Sequence, residues 1–193
     1  MENLRVMSFD LDSFALVKSK VERSKTVIDY IRKLDIDLAM IQGDKELIYN
    51  LLFMIKNYGV VYNYSNYLFL MDPTLEFVDD YYFMDSGAFV SKLGYEDIAF
   101  YNIKKYKKES LWEFRNMVKE YERVEHKVLA GTLQDVNIDD FCEKYDLDNI
   151  CSGPRSNHIL VSKGIYARII DSPVMESVEV QPMVVDITYK KVR

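Results

Sequence analysis

The pattern of hydrophobic and polar positions predicts a strand followed by a helix at the start of the chain. Residues 4 to 9 alternate and are rich in branched and aromatic types, which is typical of a buried strand. From about Val21 to Leu34, apolar side chains then recur at helical spacing and charged ones occupy the other positions. This segment is therefore predicted to be an amphipathic helix with one face on a core.

A second strand and helix follow in the same order. Leu38 to Gln42 is continuously apolar up to its last residue, and the next segment repeats leucine and isoleucine at helical spacing. Asp44 is suited to cap the start of that helix, and Asn57 and Gly59 are suited to end it. The first half of the chain thus has an alternating strand and helix pattern.

The middle of the chain, from Val60 to Tyr101, has short tyrosine-, phenylalanine- and valine-rich runs separated by turn residues, which predicts successive strands. A capping box at Ser110 to Glu113 predicts a third helix. The remaining predicted elements are a strand at 127–131, a short helix from Ile138 to Tyr145, and strands at 158–163, 165–170 and 183–190. The order predicts an α/β or α+β protein with two packed sheets and helices on the outer faces.

Size and charge narrow the classes of function. A chain of 193 residues, 49% of them hydrophobic, is expected to form a single domain over 1–193. A formal charge of -6 disfavours binding to nucleic acid, because the net field repels phosphate.

We find no leader-like start and no bilayer-spanning apolar run, so we expect a cytoplasmic protein that does not bind membranes. Cys142 and Cys151 lack a metal or redox spacing and are expected to be buried thiols.

Four segments carry a resemblance to a known family. Val128 to Asp135 resembles the strand and loop that bears Gly-Asp-Phe-Asn in the endonuclease/exonuclease/phosphatase superfamily. Leu4 to Asp10, Asp37 to Gly43 and Ser156 to Ser162 resemble its opening strand, its metal-ligand strand and its late Asp-bearing strand, in the same order. The resemblance covers nearly the entire chain. It implies a DNase I-like, four-layer sandwich of two mixed sheets flanked by helices.

The resemblance also implies a chemistry. Enzymes of this family hydrolyse phosphate esters with a divalent metal held by oxygen ligands, a histidine base and hydrogen-bond donors around the phosphoryl group. In this sequence the aligned positions carry other residues: Asp10 for Asn, Gly43 for the metal-binding Glu, Lys104 for His, Thr132 and Gln134 for the Asp and Asn of the loop, Asn157 for the late Asp, and Glu179 and Val180 for the Asp and His of the C-terminal motif. We therefore expect no catalytic residues and no cofactor, and a binding or regulatory role.

Two enzymatic alternatives remain open at this point. A hydrolase with a rearranged site would use Asp10, Asp12, Asp44 or Glu179 with Mg²⁺ or Mn²⁺, and Asp10 with Glu179 is the candidate metal pair. Ser8 to Asp12 also resembles the D-x-D motif of haloacid-dehalogenase-like phosphatases, in which the first Asp is the nucleophile. That family also needs a late acidic pair, whereas the pair found here, at residues 79 and 80, lies mid-chain.

The surface offers two candidates for binding a partner. A basic run comprises Lys104, Lys105, Lys107 and Lys108 and would contact phosphate or an acidic partner, although a solvated loop between strand and helix is its ordinary interpretation. The tyrosines at 58, 62, 64, 67, 81 and 82 would form a stacking surface or pack on strands. The sequence does not identify a partner, and a protein is one candidate. His126 and His158 lack ligand spacing and are expected to be structural.

Overall fold

The computed structural model describes residues 3–14, 19–55, 58–64, 66–82, 86–93, 96–106, 111–133, 136–152 and 157–189. Its strands are β1 Asn3–Asp10, β2 Leu38–Gln42, β3 Gly59–Tyr64, β4 Tyr67–Met71, β5 Phe77–Tyr82, β6 Ser86–Leu93, β7 Glu96–Tyr106, β8 His126–Leu133, β9 Leu147–Ser152, β10 Asn157–Ser162, β11 Ile165–Ile169 and β12 Met183–Tyr189. Its helices are α1 Lys20–Lys33, α2 Lys45–Met54, α3 Leu111–Glu120 and α4 Ile138–Tyr145, with a 3-10 turn at Leu11–Ser13.

The strands form two mixed six-stranded sheets. Sheet I has the order β11-β12-β1-β2-β4-β3 and sheet II has the order β5-β6-β7-β8-β10-β9. One parallel pair lies in the middle of each sheet, β1 with β2 and β7 with β8, while the other strand pairs are antiparallel. A helix follows the first strand of each parallel pair, as a parallel connection requires.

Three apolar clusters stack these elements into four layers. The first cluster lies between the sheets, the second joins sheet I to α1 and α2, and the third joins sheet II to α3 and α4. The predicted architecture of two packed mixed sheets flanked by helices is confirmed. None of the helices in the described part of the chain is both long and apolar enough to cross a membrane.

The alternation of side chains along each strand positions the site. Residues such as Val6, Met40 and Phe100 point into the layer between the sheets. Stepping by two along the same strands leads to Asp10, Gln42 and Asn102, which end or lie near the end of the inner rows. One end of the inter-sheet layer is therefore polar, while its middle is hydrocarbon.

Most predicted elements are present, with local differences. β2 and α4 have the predicted bounds, whereas β9, an edge strand with Asp148 and Asn149 exposed, was not predicted. Asp44 occupies the capping position of α2 without a side-chain capping bond. The sequence around His126 also predicts the end of a helix, but His126 begins β8, so this prediction is wrong. The predicted helix signals at Asn57 and Ser110 lie outside the described residues.

The structure describes the side chains of three of the six tyrosines in the predicted stacking surface. Tyr67 is completely buried between the sheets, with its ring 6.2 Å from that of Phe69, so a surface role for this tyrosine is wrong. Tyr58 and Tyr81 are half-buried. The side chains of the tyrosines at 62, 64 and 82 lie outside the part of the chain that the structure describes.

Candidate functional site

A buried pair of amides joins the two sheets beneath the site. The Gln42 Nε2 donates to the Asn102 Oδ1 at 2.6 Å, and the Asn102 Nδ2 donates to the backbone oxygens of Ile41 (3.2 Å) and Leu68 (3.0 Å). Both amide side chains are almost fully buried. Because buried polar groups must be paired, this network fixes how the carboxyl ends of β2 and β7 face each other.

An ammonium group bridges the sheets two residues beyond Asn102. Lys104 Nζ lies 3.0 Å from the Asp10 Oδ1 and also binds the Asp12 carboxylate. The side chains of Lys104 and Asp10 are 8% and 16% exposed, and that of Asp12 is 39% exposed. One cation and two carboxylates give the group a net charge of about -1 and a low affinity for anions.

The position of Lys104 corrects one interpretation of the basic run. Lys104 lies within β7 and is 7% exposed, so its assignment to a solvated loop is wrong. Lys105 belongs to the same strand, whereas Lys107 and Lys108 lie outside the described residues. Contact of the run with phosphate or a partner stays a prediction, and the ammonium of Lys104 already has two carboxylate partners.

Backbone hydrogen bonds hold the two carboxylates in place. The Asp12 N–H donates to the Asp10 Oδ1 at 3.0 Å, and the Asp44 N–H donates to the Asp12 Oδ1 at 2.9 Å. Asp10 thereby caps the 3-10 turn. Because Asp44 follows β2, this second bond ties the start of α2 to the turn after β1.

The side chain of Leu11 fills the space beside Gly43. A Cβ at position 43 would lie 2.8 Å from the Cβ of Leu11 and 3.2 Å from its Cδ1, while Leu11 itself is 2% exposed. Contacts below 3.0 Å do not occur without a shift of one partner. A metal-binding glutamate at position 43 would therefore require Leu11 to move.

Two neutral side chains face each other on the neighbouring strands. The Thr132 Oγ1 donates to the Asn157 Oδ1 at 2.7 Å, and both residues are 5% exposed. Gly131 pairs with Ile103 in the ladder of β7 and β8, and the register then shifts before Tyr106 pairs with Leu133, so Thr132 and Lys104 lie in the same irregular stretch. Neither side chain ionises, so this pair adds no charge to the site. The predicted position Gln134 lies outside the described residues.

The segment before β12 closes the site through its backbone. The Glu179 N–H donates to the Ser13 oxygen at 2.8 Å, and the Ser13 Oγ donates to the oxygens of Asp10 (2.5 Å) and Val180 (3.2 Å). Val180 is 5% exposed and its side chain carries no exchangeable proton, while Glu179 is exposed. Glu179 is thus near the turn that bears Asp10, and a metal held by this pair of acids stays a prediction.

These contacts place the predicted positions at one end of the sandwich: Asp10, Gly43, Lys104, Thr132, Asn157, Glu179 and Val180. Within the described ranges, no group of three histidine, cysteine or carboxylate side chains is arranged to hold a metal ion. The carboxylates of Asp10 and Asp12 would be the ligands available to one, in competition with Lys104.

Neither histidine is positioned to act as a base in the site. His126 starts β8 at the opposite end from Thr132. His158 follows Asn157 on β10 and therefore points away from the inter-sheet layer, with its Nδ1 3.0 Å from the Ser152 Oγ. Burial lowers the pKa of His158.

The haloacid-dehalogenase-like alternative requires an acidic pair close to Asp10. Asp79 and Asp80 lie on β5, an outer strand of sheet II, whereas Asp10 ends a central strand of sheet I. The acidic pair therefore belongs to another part of the molecule, and a D-x-D mechanism in which it assists Asp10 has no support from the fold.

Sequence reasoning missed Leu11, Ser13, Gln42 and Asn102 as parts of the site. Gln42 and Asn102 were detectable, because each continues a buried row at a spacing of two. Leu11 and Ser13 were not detectable, since the 3-10 turn has no periodic signal over three residues.

Comparison with known proteins supports the architecture. No protein-family model and no curated protein matches the sequence. Solved structures do match, and one is an endonuclease/exonuclease/phosphatase from Bacteroides vulgatus, with 9% identity, a TM-score of 0.75, and coverage of 98% of this chain and 100% of that one.

Two further matches are an endonuclease domain and a protein solved with a DNA product. The endonuclease domain of TRAS1, a telomere-specific non-LTR retrotransposon, has 12% identity and a TM-score of 0.67 over 98% of this chain and 100% of that one. D. rerio TDP2 complexed with a single-strand DNA product has 9% identity and a TM-score of 0.67 over 96% and 99%. Identities this low establish the fold alone. The chain therefore has the DNase I-like fold of the endonuclease/exonuclease/phosphatase proteins.

Proposed function

We propose that this chain is a catalytically inactive protein of the endonuclease/exonuclease/phosphatase fold, with a binding or regulatory role. The observation that carries the proposal is the ammonium of Lys104, which lies between the carboxylates of Asp10 and Asp12. An internal cation thus occupies the acidic groups that a divalent metal would need.

The residues around this ion pair support the same conclusion. Metal-assisted hydrolysis needs a cation with open positions, a base that accepts a proton from water and donors for the phosphoryl oxygens. Here Leu11 fills the space beside Gly43, Thr132 and Asn157 bind each other, and Val180 has no titratable group. Because catalytic groups act as a unit, the loss of one member alone costs several orders of magnitude in rate.

The proposal is tested by a search for activity with purified protein. The substrates are a single-stranded oligonucleotide, bis(p-nitrophenyl) phosphate and p-nitrophenyl phosphate, each with Mg²⁺ or Mn²⁺. We expect no hydrolysis above the rate in buffer. Metal-dependent hydrolysis that disappears in Asp10→Ala and persists in Asp29→Ala, a control on the exposed face of α1, would disprove the inactive role.

The binding role is tested separately, by the mass of the native protein. We expect the chain to be recovered with a protein partner, or as a dimer of itself, when it is isolated under native conditions from cells that produce it. Recovery only as a free monomer would argue against a protein-binding role while leaving the absence of catalysis unaffected.

The second candidate is a metal-dependent phosphoesterase with a rearranged site. It is favoured by one observation, namely that Asp10 and Asp12 bind the same cation and so converge on one point. Such an enzyme would exchange Lys104 for Mg²⁺ or Mn²⁺, and millimolar metal would raise its Tm because the ion binds only the folded state. An unchanged Tm would count against this candidate.

A further inference from the structure

The outer face of sheet II contains a cavity at the end remote from the cleft, which is the polar end of the inter-sheet layer at Asp10, Asp12 and Lys104. Its volume is about 300 Å³, at the lower limit for small-molecule sites. Glu96 and His126, which line it, begin the two parallel strands that carry Lys104 and Thr132 at their other ends. Glu96 and Lys104 are eight positions apart along β7, which corresponds to about 26 Å. The cavity is therefore independent of the cleft and of the proposed function.

The floor and the rim of the cavity differ in chemistry. The floor contains the apolar core residues Val90 and Val124 together with Tyr121, which pack under α3. The rim carries four carboxylates and one guanidinium: Asp79, Glu96, Asp97, Glu125 and Arg123. Lys92 pairs in register with Asp97, but its ammonium lies 3.0 Å from Glu76, so the rim keeps an excess of negative charge.

A second observation concerns the floor. Tyr121 is 2% exposed, and its hydroxyl makes no hydrogen bond to the described residues. Burial raises the pKa of this phenol, and the carboxylate of Asp79 raises it further. A buried hydroxyl without a partner costs free energy that a ligand with a hydrogen-bonding group would recover.

We propose that this cavity binds a small organic cation with an apolar stem, an alkylammonium or a guanidinium compound. The stem would lie on Val90, Val124 and Tyr121, and the cationic head would lie among the rim carboxylates. A divalent metal does not fit, because it requires oxygen ligands at 2.0–2.6 Å from one point, and no metal-holding group of three such residues is present in the described ranges. An ammonium or guanidinium group can instead bridge carboxylates that are several ångströms apart.

This ligand chemistry has two sources, a free amine or the basic side chain of another protein. The probes that separate them are 1,4-diaminobutane and agmatine for the first source and N-acetylarginine amide for the second. The matched neutral control is 1,4-butanediol, which has the length of the diamine but no charge. Each compound is titrated into the ¹⁵N-labelled full chain at low ionic strength, with amide chemical shifts as the readout.

We expect saturable shifts centred on Val90, Tyr121 and Val124 with at least one cationic probe, and none with the diol. Asp79→Asn and Glu125→Gln should each weaken binding roughly two- to fivefold, and salt should weaken it further. Glu176→Gln, which removes the same charge from an exposed turn elsewhere, should bind like the parent. Tyr121→Phe tests the hydroxyl and preserves the shape of the floor.

Three results would overturn the proposal. They are the absence of saturable shifts with every cationic probe, equal shifts with the diol, and a loss of affinity in Glu176→Gln as large as that in Asp79→Asn. Binding of the diamine without the arginine amide identifies a free amine as the ligand, and the reverse identifies a protein side chain. Since the cleft is not involved, the outcome is independent of the tests for catalysis.

Discussion

At the scale of single residues, the site depends on Lys104, which the sequence predicts to be exposed and the structure shows to be buried. As part of the run that begins at Lys104, it is expected in solvent, but the strand period continues from Ile98 through Phe100 and Asn102 to Lys104 and turns it inward. Its ammonium is then stable only because two carboxylates, that of Asp10 at the end of β1 and that of Asp12 in the following turn, accept its hydrogen bonds.

Replacing this ammonium tests the description of the ion pair. We expect Lys104→Met to destabilise the protein by about 2–3 kcal/mol, below the ~3–5 kcal/mol for breaking a fully buried pair, because Asp12 is partly in water. Urea unfolding measures the change. The matched control is Lys92→Met at the exposed pair with Glu76, where we expect little effect.

The same variant separates the two proposed functions. Without the ammonium, Asp10 and Asp12 repel each other, so millimolar Mg²⁺ should raise the Tm of Lys104→Met more than that of the parent protein. An equal rise in both proteins would contradict the idea that Lys104 occupies the position of a cation.

A second residue-scale prediction concerns Gly43. Gly43→Ala brings a Cβ to 2.8 Å from the Cβ of Leu11, and overpacking of this kind costs about 1–3 kcal/mol. Gly59→Ala is the control, because its nearest neighbour would be at 3.4 Å. Equal midpoints of chemical denaturation for Gly43→Ala and the parent would show that Leu11 moves freely, and a metal ligand at position 43 would then be tolerated.

At the scale of elements, the two sheets are held in register by amides as well as by hydrocarbon. The pair formed by Gln42 and Asn102 lies where the inner rows of β2 and β7 end. Hydrophobic contacts alone have no direction, whereas these bonds specify which strand ends face each other.

Removing one amide should therefore cost more than its size suggests. We expect Asn102→Leu to destabilise the protein by about 2–4 kcal/mol, since Gln42 loses a buried partner and the oxygens of Ile41 and Leu68 each lose a donor. Denaturant unfolding measures the loss. A leucine that is tolerated without cost would show that the network is dispensable.

The elements also show what the sequence predicts and what it does not. β2 and α4 were predicted to the residue because β2 is a continuous apolar run up to Gln42 and α4 is bounded by a polar residue on each side. β9 was missed, since its pairing with β10 stabilises a sequence, Leu147 to Ser152, whose own aspartate and asparagine disfavour strands. The convergence of Asp12 on Lys104 was not predictable, because tertiary packing sets the position of a three-residue turn.

At the scale of the whole molecule, stability should depend on pH through His158. Burial lowers its pKa in the folded state, so at acidic pH the unfolded chain takes up a proton that the folded chain resists. Stability should therefore decrease as the pH falls below about 6.5, the ordinary value for histidine. In His158→Gln this part of the decrease should be absent between pH 7 and 5, as measured by Tm across that range. Identical profiles for the two proteins would contradict the assignment.

The order of strands in sheet I has a consequence for biosynthesis. β1 pairs with β2 on one side and with β12 on the other, so residues 3–8 contact residues 183–188. Until the ribosome has released that last strand, one edge of β1 has no hydrogen-bonding partner, and the centre of the sheet is open to other extended chains. Assembly must also wait for a contact between residues that are far apart in the sequence, which favours slow folding. Nascent chains of this protein are therefore expected to need protection by chaperones until β12 has been released.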